Sequence, residues 1–316
     1  MQNGIVSIIG CGLIGQSWAI AFSRAGHTVR LFDHMPQAAA AALAEIERTL
    51  RDPIAANLRP QDSAEATLER ISCAQNLAEA AAGAVHIQEN VPELIDIKRQ
   101  VFAELDAIAN PSSVIASSSS ALLPSSFTLG LAGSRRCLVA HPLNPPHLIP
   151  AVEIVPSPQT APEAVAMTRS LLAAIGQKPV VLRREIEGFV MNRLQGALLD
   201  EAFSLVGRGY ASVEDIDTAM RDGLGRRWAF MGPFETIDLN APGGVAAFIE
   251  RYGPAYAEIG RERPGREVWN TDLAETVVAA RRAALPESDL PARRAWRDAR
   301  LAKMAVEARS FDEKEM

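Results

Sequence analysis

Cysteine is scarce in this 316-residue chain: Cys11, Cys73 and Cys137 are odd in number, far apart and lack metal-ligand spacing. That excludes a disulfide scaffold and a cysteine-built metal site, and predicts reduced thiols in a cytoplasmic protein. Positive charge is not in excess either. Lys and Arg number 32 against 38 Asp and Glu, a net charge of -6, which argues against nucleic-acid or anionic-membrane partners. No apolar run approaches the ~20 residues needed to span a bilayer. The apolar start, Ile5 to Ile14, has no Lys or Arg before it and is broken by glycines, so it is not expected to be a signal peptide. No internal repeat is present. What remains is an ordinary globular mix, 48% hydrophobic and 22% charged, long enough for two domains.

Strands and helices alternate through the first half. Strands are expected at Gly4 to Ile9, Thr28 to Asp33, Val85 to Gln88, Val114 to Ser117, Arg136 to Ala140, Ala151 to Val155 and Pro179 to Leu182. Helices are expected at Leu13 to Ala25, Ala38 to Leu50, Glu93 to Ile108 and Pro162 to Ile175, with a polar excursion from Asn57 to Glu69. This alternation implies an α/β fold with a doubly wound parallel sheet. From Gly188 onward the pattern is helical: Gly188 to Gly207, Ser212 to Arg221, Phe234 to Asn240, Gly243 to Arg261, Thr271 to Ala284 and Pro291 to Arg309. The expected domains are therefore residues 1–187, nucleotide-binding, and 188–316, all-α.

Gly10-Cys11-Gly12-Leu13-Ile14-Gly15 is a G-x-G-x-x-G run between a strand and a helix. Gly10 permits a tight turn, Gly12 lets backbone approach a pyrophosphate, and Gly15 lets the helix pack closely. The helix N-terminus then offers N–H groups to the phosphates. Asp33 ends the second strand, 18 residues beyond Gly15. A carboxylate there can accept from ribose hydroxyls and repels a 2′-phosphate, which favours NAD over NADP. Without a ligand, the run would be a glycine-rich turn and Asp33 a strand-end residue.

His141 lies where a strand runs into Pro142-Leu143-Asn144-Pro145-Pro146, beyond the carboxyl end where open parallel sheets collect ligands. Glu153 alternates onto one face with Ala151 and Val155, and the short connection can return it to His141. A carboxylate on one imidazole nitrogen orients the ring, leaving the other to take a proton. Asn192 is the polar member of a helix face formed with Phe189, Gly196, Leu199 and Phe203, where it can serve a ligand. Ser117 to Ser120 follow another strand, so a hydroxyl there can face substrate. The plainer alternatives are a structural histidine, an edge-strand glutamate, an asparagine bonded to backbone, and a polar loop.

Longer stretches carry a resemblance. They include His86-Ile87-Gln88-Glu89-Asn90-Val91-Pro92-Glu93, the serine run, His141 to Pro146, Val152 to Pro156 and Gly188-Phe189-Val190-Met191-Asn192-Arg193-Leu194. Gly223 to Phe230 with Gly232-Pro233, and Ala292 to Asp298, extend it. Over essentially the whole chain the sequence resembles the L-3-hydroxyacyl-CoA dehydrogenases, most closely the lambda-crystallin and L-gulonate 3-dehydrogenase branch. The resemblance implies a Rossmann-type sheet followed by a helical domain that makes a homodimer. It implies His141 as general base, Glu153 as its orienting carboxylate, and Asn192 and Ser120 as hydrogen-bond donors to the reacting oxygen. It implies that Leu13, Ile14, Asp33, Glu93 and Lys98 touch NAD. One departure is that relatives often carry Asn or Thr where this chain has Ser118 and Ser119.

The implied reaction is oxidation of the 3-hydroxyl of a small, L-gulonate-like hydroxy acid by hydride transfer to NAD. Arg227, in Arg226-Arg227-Trp228, is expected to grip a free substrate carboxylate bidentately, or else to be a surface arginine. The alternatives are a 3-hydroxyacyl-CoA dehydrogenase, a carnitine-type 3-hydroxy acid enzyme, and a non-catalytic crystallin-like or NADH-sensing protein. A 6-phosphogluconate-type enzyme is discounted because residues 188–196 contain no lysine. No metal is expected. The arginines of the last helix, Arg293, Arg294, Arg297 and Arg300, suit a solvated or subunit-contacting face.

Overall fold

Val6, Ile8 and Ile9 of β1 (Ile5–Ile9) are buried, and such a strand is stable when covered on both faces. The computed structural model describes residues 3–51, 63–262 and 271–315, and it supplies that cover. An eight-stranded sheet runs in the order β3-β2-β1-β4-β5-β6-β7-β8. The other strands are β2 (Thr28–Phe32), β3 (Ile71–Cys73), β4 (Ala84–Glu89), β5 (Val114–Ser117), β6 (Cys137–Pro142), β7 (Ala151–Pro156) and β8 (Lys178–Val181). β1 to β6 are mutually parallel; β7 runs antiparallel to β6, and β8 is parallel to β7.

Side-chain alternation sorts the core into two layers. Val6, Ile8, Ala116, Leu138, Ala140 and Ile154 pack with Trp18, Ile46 and Leu172 from the helices Leu13–Arg24, Ala38–Leu50 and Pro162–Ala174. Ile9, Ile87, Ile115, Val139 and Val155 pack with Phe102 and Leu105 of Ile95–Ile108, with Phe127, and with Phe189. The chain winds from β1 out to β3 on one side, then crosses to β4 on the other. The turn after β1 therefore sits where strand order reverses, the usual place for a ligand in an open α/β sheet.

β3 was not among the expected strands. It has three residues, one of them buried, and follows the polar stretch Asn57 to Glu69. Residues 57–62 of that stretch lie outside the described ones, and Ala64–Leu68 is a short helix capped by Ser63. After β8 the described residues form helices, including Met191–Gly207, Val213–Thr218, Pro233–Leu239, Gly244–Glu262, Thr271–Ala284 and Leu290–Glu315. By contact the chain forms two units. One runs to Asn192 and includes the chain from Ala292; the other is Arg193–Pro291. The last helix thus belongs with the sheet, where Ala302 packs on Leu148.

Candidate active site

The glycine loop divides its labour by position. Gly10 has φ 90° and lies so close to the Asn90 backbone that a Cβ would come within 2.7 Å of it. At Gly15 a Cβ would stand 2.1 Å from the Gly10 carbonyl oxygen, so this glycine seats the helix on the loop. At Gly12 a Cβ would meet nothing within 4 Å among the described residues. Packing within the protein therefore does not require Gly12, whereas backbone approach to a bound phosphate does. Gly12 caps the helix Leu13–Arg24 without a side-chain hydrogen bond, and its first turn holds no acidic residue. The opening N–H groups are left to an anion. Leu13 is exposed, and Ile14 packs against the core.

Asp33 closes the loop from β2. Its Oδ2 accepts from Cys11 N at 2.8 Å and its Oδ1 from Met35 N at 2.9 Å. These bonds fix the carboxylate at the strand end, and each oxygen retains a lone pair for a ribose hydroxyl. Burial, reinforced by Asp33, pushes the Cys11 thiol up to about 12, so it stays protonated and contributes no nucleophile. The loop and Asp33 together fit NAD.

His141 and Glu153 face each other across the antiparallel β6–β7 pair. Both lie on the face that carries Val139 and Val155, which is why the short connection reunites them. His141 Nδ1 stands 2.8 Å from Glu153 Oε2. Glu153 is fully buried in a strand paired on both sides, by β6 and β8, so the edge-strand alternative is excluded. Its Oε1 accepts from Val190 N at 2.6 Å and Met191 N at 3.0 Å, the amides that open the helix Met191–Gly207. With both oxygens bonded, the carboxylate is held in place and orients the imidazole through Nδ1. Among the described residues no hydrogen bond reaches His141 Nε2.

Each member of the serine run has a different task. Ser117 Oγ bonds Glu89 Oε2 at 2.5 Å, Ser118 Oγ donates to Asn90 Oδ1 at 2.7 Å, and Ser119 Oγ donates to Glu93 Oε1 at 2.5 Å. Ser120 is exposed. Glu93 Oε1 also accepts from the backbone of Ser120, Ala121 and Leu122. Burial raises the Glu93 carboxyl, but the Ser119 bond, Lys98 and these amides leave it below its ordinary value. Asn192 Nδ2 donates to the Ser120 carbonyl oxygen at 2.6 Å. Asn192 is half-buried rather than core-facing, and Phe189 precedes the helix instead of sharing its face. Asn192 and Ser120 are nonetheless brought together, through amide and carbonyl.

Lys98 is placed differently from a surface cofactor contact. It is 1% exposed, with Nζ 3.0 and 3.1 Å from the two oxygens of Glu89 and 3.4 Å from Glu93 Oε2. Its reach to the site runs through Glu93 and Ser117. Sequence reading also missed Gln88, which is fully buried. Its Nε2 donates to Ser118 Oγ at 2.8 Å and to the Ala140 carbonyl at 3.2 Å, and its Oε1 meets His86 Nε2 at 2.9 Å. Trp18 Nε1 donates to the same Ser118 hydroxyl at 3.1 Å. The available signal was polar residues at alternate positions of an apolar strand, His86 and Gln88. Arg227 lies in the second unit, where Nη1 donates to Asn240 Oδ1 at 3.4 Å. Among the described residues, no cluster of three His, Cys, Asp or Glu could hold a metal, and no helix is long and apolar enough to cross a membrane.

Comparison with known proteins places the chain in a family. The family model for the 3-hydroxyacyl-CoA dehydrogenase NAD binding domain matches residues 5–186, and that for the C-terminal domain matches residues 188–288. The chain is 44% identical over 305 residues to the lambda-crystallin homolog of Bos taurus, covering 96% of this chain and 95% of that protein. It is 39% identical over 255 residues to an L-carnitine dehydrogenase of Streptomyces griseus, covering 79% and 74%. The solved structure of 5-formyl-3-hydroxy-2-methylpyridine 4-carboxylic acid 5-dehydrogenase, an NAD+-dependent dismutase, superposes with TM-score 0.82 at 27% identity, covering 97% of this chain and 99% of that one.

Proposed function

The chain belongs to the 3-hydroxyacyl-CoA dehydrogenase family of NAD-dependent CH–OH oxidoreductases, and from that premise we propose that it oxidises the 3-hydroxyl of a small, L-gulonate-like L-3-hydroxy acid. The observation that carries this reading is the buried 2.8 Å contact between His141 Nδ1 and Glu153, which leaves Nε2 without a hydrogen-bond partner among the described residues. NAD, bound at the glycine loop, supplies the hydride acceptor. His141 takes the hydroxyl proton at Nε2. Glu153 balances the resulting imidazolium without taking the proton itself. Asn192 uses one amide hydrogen on Ser120, so its second remains for the reacting oxygen, beside the Ser120 hydroxyl. Glu93 and Lys98 hold the loop that presents Ser120.

Arg227 is proposed to grip the free carboxylate of the substrate, which favours a hydroxy acid over a CoA thioester. The L-carnitine dehydrogenases among the relatives keep a second hydroxy acid in view. The test is NADH formation with L-gulonate, 3-hydroxybutyrate, carnitine and 3-hydroxybutyryl-CoA. A free hydroxy acid should give the highest kcat/KM, and Arg227→Met should raise its KM by ~10-fold or more. Preference for the thioester would move the assignment to the acyl-CoA alternative. Absence of turnover with all four would favour the non-catalytic one.

We also propose a homodimer formed through the helical unit. Among the described residues of Arg193–Pro291, no hydrophobic side chain is fully buried, while Phe230 is 74% exposed and Phe234 80%. A helical unit without its own core needs a covering surface. Sedimentation analysis should return twice the chain mass; a monomer at micromolar concentration would remove the proposal.

A further inference from the structure

We propose that Phe189 is the positioning residue of the His141–Glu153 pair, setting the imidazole with its ring and the carboxylate with its backbone. The proposal rests on the reading of His141 as the base. Phe189 is fully buried, and its ring centroid lies 5.6 Å from that of His141, with the planes tilted by 56°. It belongs to the same core layer as Val139 and Val155, the strand neighbours of His141 and Glu153. The ring therefore packs beside the imidazole within the layer that holds the strand neighbours of both His141 and Glu153.

The backbone makes the second half of the case. Gly188 has φ 74° and Phe189 φ 51°, two successive residues in the left-handed region. With Phe189 N bonded to the Ile186 carbonyl at 3.0 Å, they reverse the chain so that the next two amides, of Val190 and Met191, converge on Glu153 Oε1. A left-handed phenylalanine is strained where glycine would be relaxed. Such a residue persists when its side chain is required, and the contact on offer is with the histidine. One residue thus fixes both ends of the hydrogen bond between His141 Nδ1 and Glu153 Oε2.

The experiment uses Phe189→Leu and Phe189→Met, which keep an apolar side chain of similar volume without a ring. The imidazole nitrogen spectrum of the full-length 15N-labelled protein reports the tautomer, with the His141 signals assigned by their loss in His141→Gln. The wild type should show His141 protonated at Nδ1. Both variants should show an averaged mixture of tautomers, with kcat lowered by ~10-fold or more while KM and the NAD Kd stay within ~3-fold. A variant that loses thermal stability yet keeps the wild-type tautomer and kcat would assign Phe189 to packing alone and overturn the proposal. If one substitution prevents folding, the other decides. Turnover that survives His141→Gln would instead remove the proton-transfer reading and leave the tautomer result standing, so the two failures are distinguishable.

Discussion

Glu153 spends one carboxylate oxygen on His141 Nδ1, at 2.8 Å, and the other on the backbone amides of Val190 and Met191. A glutamine fits this position with its oxygen toward the two amides, which turns its NH2 toward Nδ1. Two donors then face each other, and the imidazole proton moves to Nε2, the atom needed as base. Glu153→Gln should lower kcat by at least ~10²-fold with the NAD Kd within ~3-fold. Steady-state kinetics with an NAD titration checks this, and an unchanged kcat would remove Glu153 from the mechanism.

Two glycines of one loop should fail in different ways. Gly12→Ala adds a methyl into open space, so thermal stability without NAD should be unchanged while NAD affinity falls by ~10-fold or more. Gly15→Ala drives a Cβ to 2.1 Å from the Gly10 carbonyl, which should destabilise the fold by about 1–3 kcal/mol. Denaturant titration and NAD fluorescence quenching separate the outcomes. Equal losses of stability in the two variants would contradict the division of labour.

Lys98 and Glu89 form an ion pair with both side chains out of water. Burial pushes the Glu89 carboxyl up from its ordinary range, against the pull of Lys98 and the Ser117 hydroxyl. Lys98→Met strands that carboxylate and should cost about 3–5 kcal/mol of stability. Adding Glu89→Gln to Lys98→Met should recover a large part of the loss. A Lys98→Met protein with wild-type stability but weak NAD binding would show that Lys98 acts as a direct cofactor contact.

His86 gives stability a pH dependence. Burial lowers its imidazole to about 4, outweighing the Gln88 hydrogen bond. The unfolded chain, titrating near the ordinary value of 6.5, therefore binds more protons than the folded one between these values. This contribution is complete above about pH 6.5 and is lost as pH falls toward 4. Between pH 7 and pH 5 the wild type should lose about 2 kcal/mol more than His86→Asn, compared by denaturant unfolding at both values. Equal losses would mean that His86 is protonated inside the fold.

Much of the fold was legible because apolar runs such as Ile5 to Ile9 and Ile115-Ala116 alternate with helical periodicity. The pairing of His141 with Glu153 was legible too, since strand alternation and a short connection suffice to bring them together. β3 was not, because three residues with one buried side chain carry no periodicity. The enclosure of Lys98 was hidden for another reason. Its partner Glu89 lies on a neighbouring element, and burial of a long cation shows only when both are placed. Gln88 escaped likewise, since its bonds to Ser118 and Ala140 join β4 to β6 and to the loop after β5, which sequence spacing does not relate. The left-handed backbone of Phe189 has no local signature beyond the preceding glycine.

The most direct test of the central claim is the single-turnover rate of NADH formation by wild type and His141→Gln, each saturated with NAD and the best hydroxy acid substrate. If His141 is the base, the variant should bind NAD with near wild-type affinity and form NADH at least ~10²-fold more slowly. Equal rates in the two proteins would show that the proton leaves by another route and that the site has been misread.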